Sequence, residues 1–88
     1  MNTLIIENWQ TIGTELKNER ERQHKTRAEL IGESHYLHLN TMHLVETNKV
    51  KPTLQTISEL TRVLGYDGII IKFRNEEKTE SEVQENEK

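Results

Sequence analysis

His24, His35, His38 and His43 fall within a window of twenty residues, and they are the side chains here most suited to metal coordination or proton exchange. Their spacing argues against a metal. They straddle a predicted loop, a turn and a helix, and His38 and His43, five apart, do not share a helix face. There is no HExxH pattern and no cysteine. No nucleophile–base pair and no glycine-rich phosphate loop can be named. The sequence therefore predicts no enzyme, no metal and no cofactor.

The elements that would carry these residues form one domain at most, since the chain has 88 residues. A core of that size is modest, so dimerisation is a natural source of extra stability. The lack of cysteine excludes a disulfide framework and fits a reducing cytoplasm, which is the expected location. No apolar run approaches the roughly 20 residues needed to span a bilayer. Leu4-Ile5-Ile6 and Ile69-Ile70-Ile71 are strand-sized, and no basic region precedes the first of them, so neither a membrane span nor a secretory signal is expected. The net charge of -3 is uneven: residues 75–88 carry six Glu and two Lys, leaving residues 1–74 at +1. A near-neutral domain binds a polyanion only if its cations cluster on one face.

Residues 1–8 read as an arm or a short strand over Thr3–Ile6. Ile12 and Leu16, four apart, predict a helix over residues 9–23. Thr26 and Glu29 form a capping-box pattern that opens a second helix over residues 26–33, with Leu30 and Ile31 on its buried side. Ser34-His35-Tyr36 reads as the turn. A third helix covers residues 38–47: Met42 and Val45 share a face with Leu37, while Asn40, His43, Leu44 and Thr47 point away. Asn48 stands where a helix stops in the left-handed conformation. Pro52-Thr53 opens a fourth helix, with Thr53 as N-cap, Leu54, Ile57, Leu60 and Leu64 along it and Gly65 at its end. Ile69, Ile71 and Phe73 alternate in the best strand signal of the chain, within residues 66–74. That strand pairs either with Leu4–Ile6 or with the same strand of a second subunit. Residues 75–88 form an acidic tail, expected to be disordered. Trp9 and Tyr36 are expected in the partial core.

The order and spacing of four segments resemble the helix-turn-helix of the Cro and lambda-repressor class, the xenobiotic response element family. They are Ile12-Gly13-x-x-Leu16-x-x-x-Arg20, Thr26-Arg27-x-Glu29-Leu30, Thr41-Met42-His43-x-Val45-Glu46-x-Asn48 and Pro52-Thr53-Leu54-x-Thr56-Ile57-x-x-Leu60-x-x-x-Leu64-Gly65. The family usually has Gln at Arg27, a small residue where Ile31 follows Leu30, and Gly in the turn. With Leu30 in the family's leucine position the turn is one residue too long. A one-residue shift matches Ile31-Gly32 instead and moves the extra residue to the loop near His24-Lys25. The stretch after Gly65 resembles some antitoxins, in which one short strand pairs across a dimer and a flexible tail follows.

The resemblance implies a mainly α, four-helix DNA-binding domain with a short C-terminal strand. It implies that the third helix enters the major groove of double-stranded DNA. His38, Leu39, Asn40, His43, Leu44 and Thr47 would then face the bases: Asn bonds adenine at two positions, His donates to guanine, and Leu39 or Leu44 meets a thymine methyl. Arg20, Arg27, Lys49 and Lys51 would contact phosphates. The plain reading of each is a solvated side chain, and Arg62 and Lys72 are read as surface charges. Protonated His would add positive charge to the same face. Ile69, Ile71 and Phe73 would line the dimer interface. The expected function is a transcriptional regulator, a repressor, acting as a homodimer on an inverted repeat. Two alternatives stand beside it: an antitoxin that neutralises a toxin and represses its own operon, and a helix-turn-helix interaction module that does not bind DNA. The absence of Arg or Lys from the third helix and the outward Leu44 support the last.

Overall fold

The computed structural model describes residues 2–73; the acidic tail lies outside them. The described residues are mainly helical, with four α-helices and a two-stranded sheet: β1 (Thr3–Ile6), a 3-10 turn (Trp9–Thr11), α1 (Ile12–Arg22), α2 (Arg27–Gly32), α3 (Leu39–Glu46), α4 (Leu54–Val63) and β2 (Gly68–Ile71). Among the described residues no helix is long and apolar enough to cross a membrane.

The helix boundaries follow local chemistry. Thr26 Oγ1 accepts from the Glu29 amide at 3.1 Å, and Glu29 Oε1 accepts from the Thr26 amide at 2.7 Å, completing the capping box. Thr53 caps α4 by accepting from the Thr56 amide. Asn48 (φ 60°) and Gly65 (φ 90°) take the left-handed conformation just past α3 and α4, as their positions predict. His24 (φ 59°) does the same after α1, where the sequence has no Gly or Asn to announce it.

Apolar side chains from every element meet in one core. Ile6, Ile12, Leu16, Leu30, Met42 and Val45 are its largest fully buried members. Each such side chain contributes about 1.5–3 kcal/mol relative to exposure. Leu30 is fully buried and Ile31 only half-buried, while a Cβ on Gly32 would meet open space. The inward position of α2 is thus Leu30, and residues 33–38 connect α2 to α3. Helices α1 and α3 cross so closely that a methyl group on Gly13 would overlap the Val45 carbonyl oxygen. Asn48 Nδ2 donates to Thr14 Oγ1 at 2.6 Å across the same seam.

The choice of strand partner falls within the chain. Strand β1 pairs with β2 in parallel, Thr3 opposite Gly68 and Ile6 opposite Ile71. The helices form the crossover that a parallel pair requires. Leu4 and Ile6 are buried and Ile5 is exposed, so β1 alternates as a half-buried strand should. Glu15 secures the turn out of β1: its carboxylate accepts from the amides of Glu7 (2.7 Å) and Asn8 (3.0 Å).

Candidate nucleic-acid interface

Helix α3 is held by one face and presents the other. Met42 and Val45 are buried in the core, and Glu46 is buried beside them. Leu39, Asn40, His43 and Thr47 are exposed, Leu44 is half-buried, and His38 is the exposed N-cap residue with no side-chain capping bond. At 100° per residue Leu39, Asn40, His43, Leu44 and Thr47 form one continuous arc, and His38, before the first turn, lies outside it. Leu39 and His43 lie one turn apart on it, with Asn40 beside them. The Thr47 hydroxyl donates to the His43 carbonyl oxygen at 2.7 Å, so its proton is spent on the helix.

The inner side of α3 carries an ion cluster that the spacing of the sequence does not reveal. Glu46 Oε2 accepts from Arg20 Nε at 2.8 Å, and Oε1 accepts from Arg20 Nη2 at 3.1 Å and from Arg27 Nε at 2.7 Å. Arg20 Nη1 also donates to the Lys25 carbonyl oxygen at 2.7 Å. Burial pushes the Glu46 carboxyl up, but hydrogen bonds from Arg20 and then Arg27 outweigh it and hold the group below its ordinary value. The same carboxylate raises the Arg20 guanidinium, against the opposing effect of burial. One cluster thereby ties α1, α2 and α3 together.

This cluster corrects the expectation for Arg20. With 8 % of its surface exposed, its guanidinium faces Glu46 and not solvent, and it is withdrawn from the candidate phosphate contacts. Arg27 is half-buried and commits its Nε to Glu46. Lys51 remains exposed, but its ammonium donates to the carbonyl oxygens of Trp9 (3.0 Å) and Gln10 (2.8 Å) and lies 5.4 Å from the Trp9 ring centroid. Lys49 is exposed just past the left-handed Asn48. The structure therefore brings Leu39, Asn40, His43 and Thr47 onto one face, leaves His38 at the N-cap off that face, and keeps Arg20 away from it.

The loop that presents α3 is clamped to α4. Ser34 Oγ accepts from the amides of Tyr36 and Leu37, both at 3.0 Å, and donates to Glu59 Oε2 at 2.7 Å. Arg62 Nη2 donates to Glu59 (2.8 Å) and to the Glu33 carbonyl oxygen (3.0 Å). Its hydrogen bonds, with that from Ser34, hold the Glu59 carboxyl down to about 2. Leu37 is buried as predicted, whereas Tyr36 is exposed and not part of the core. Arg62 and Lys72 are surface charges in ion pairs, with Glu59 and Glu7.

Of the residues predicted to line a dimer interface, Ile69 and Ile71 are half-buried and pack on the protein's own core. Phe73 is exposed and stacks on Trp9 with ring centroids 5.3 Å apart. The residues that the sheet turns outward are Ile5 and Ile70, opposite one another in register and 48 % and 53 % exposed. The alternation was visible; which phase faced inward depended on the partner strand. Among the described residues no three His, Asp or Glu side chains gather as a metal site. The chain matches no protein-family model, no curated protein and no solved structure, so its own residues carry the functional reading.

Proposed function

We propose that this protein is a sequence-specific DNA-binding transcriptional regulator of lambda-repressor-like fold, a repressor that acts as a homodimer on an inverted repeat through α3. The observation that carries the reading is the outward arc of α3. Leu39, Asn40 and His43 stand exposed on a helix whose opposite side is fixed by Met42, Val45 and the Arg20–Glu46–Arg27 cluster. Major-groove recognition requires this: side chains able to meet base edges on a helix that does not move. The clamp from Ser34 to Glu59 serves the same end by holding the entry to α3.

Selection of bound duplexes from a random pool at moderate salt tests the reading. An enriched inverted repeat is expected, with two half-sites about one helical turn apart. Few cations face the groove, so the logarithm of affinity should fall shallowly with the logarithm of salt, at about -0.9 for each phosphate contact. An unenriched pool with folded protein overturns the proposal.

A second reading, an interaction module without DNA binding, has its own observation. Glu46 engages both arginines beside α3, and Leu39 leaves 58 % of its surface exposed on a face without permanent cations. A protein partner would then bind α3 with no dependence on salt. The antitoxin reading, which would add a toxin partner, loses part of its support, because β2 finds a strand partner in its own chain.

A further inference from the structure

We infer that α3 is built to read A·T pairs, with a thymine methyl seated on Leu39 and a neighbouring adenine bonded by Asn40; this rests on the DNA-binding reading and names what that site prefers. Specific reading of guanine in the major groove is mostly the work of two donors from Arg or Lys aimed at O6 and N7. The arc of α3 carries neither residue. Of the two arginines nearest to it in the fold, Arg20 is buried on Glu46 and Arg27 commits its Nε there. Lys49 lies past the end of the helix, on the flank. His43 presents a single ring edge to any one base.

The arc does hold a matched pair for A·T. The Asn40 side chain combines a donor and an acceptor on one amide, the complement of adenine N7 and N6. Leu39, the preceding apolar residue in the same first turn, leaves 58 % of its surface exposed, and the C5-methyl of thymine is the apolar group that the major groove offers. Leu44, one turn beyond Asn40, is half-buried, so the methyl contact falls to Leu39. Glu46 would repel the phosphates if its charge were free, but the two arginines neutralise it. The cluster that buries Arg20 and engages the Arg27 Nε thus also neutralises an anion at the edge of the face.

The test uses the duplex enriched from the random pool and versions in which each thymine of a half-site is replaced in turn by deoxyuridine, which lacks only the methyl. At one position per half-site, binding should weaken about fourfold, the effect of one buried methyl-sized group. Leu39→Ala should bind the parent duplex about as weakly and be indifferent to the replacement, while Leu39→Met keeps the sensitivity. Asn40→Ala should lose the preference for adenine at the adjacent pair. Leu39 and Asn40 are exposed, and circular dichroism of each variant verifies that the fold is kept. Equal binding of the deoxyuridine duplexes, or an enriched core of G·C pairs, overturns the inference while leaving DNA binding intact. A pool with no enrichment overturns the DNA-binding reading itself and this inference with it.

Discussion

Glu46 is the residue on which the helical domain turns. Its side chain is 2 % exposed and accepts from two guanidinium groups. Removing one partner of a buried ion pair leaves the other charge uncompensated, at a cost of about 3–5 kcal/mol. Glu46→Gln should therefore lower the urea midpoint by an amount equal to about 3 kcal/mol, with an unchanged slope. A change below 0.5 kcal/mol would deny the cluster its structural role. Glu19 is the other carboxylate of note. Arg22 is the main cause of its depression to about 2, against the opposing effect of burial, with Tyr66 and Gln23 adding hydrogen bonds. Because its folded pKa lies below the ordinary 4.5, its contribution is complete above 4.5 and lost as pH falls toward about 2. Urea midpoints taken from pH 6 to pH 2 should decline over that window, and Glu19→Gln should flatten the decline. The Arg20–Glu46 pair was hidden from sequence reading for a plain reason: the two lie in different helices, and no periodicity links partners 26 positions apart.

At the scale of elements, the sequence was most legible where a rule is local. The capping box at Thr26, the N-cap at Thr53 and the left-handed stops at Asn48 and Gly65 all stand where residue type places them. The α1–α3 crossing was not legible, because Gly13 inside a helix looks like a weakness. In an exposed helix, Gly→Ala gains about 1 kcal/mol. Here the added methyl would collide with the Val45 carbonyl oxygen, which is backbone and cannot swing away. Gly13→Ala should thus destabilise by about 1–3 kcal/mol, as overpacking does. A rise in melting temperature for this variant would mean that the two helices can part without loss. Which face of β2 is covered stayed open for a related reason: alternation defines two faces, and only the partner strand decides between them.

For the whole molecule, the two-stranded sheet leaves one apolar spot outward, at Ile5 and Ile70. A homodimer that buries this spot should dissociate when both residues become Lys, while the melting temperature of the monomer changes by only a few degrees. Sedimentation at micromolar concentration reads the first, and calorimetry the second. A double variant that stays dimeric would move the interface elsewhere, with the exposed Leu54 at the start of α4 the next surface to alter. The helical class and the single domain could be argued from length and periodicity, whereas the sheet joins strands far apart in the sequence, Thr3 opposite Gly68, each legible alone but with no local signature of their pairing.

That pairing sets an order of events at birth. Asn2 bonds Asp67, 65 positions along the chain. At about 5–20 residues per second, the ribosome releases β1 roughly 3–13 s before its partner. Leu4 and Ile6 lack their strand partner through that interval, and the sheet is expected to be the last piece to assemble, since contacts of such range are slow to close. A nascent chain halted before Gly68 would hold its helices with a loose first strand, the form most open to chaperones and proteases.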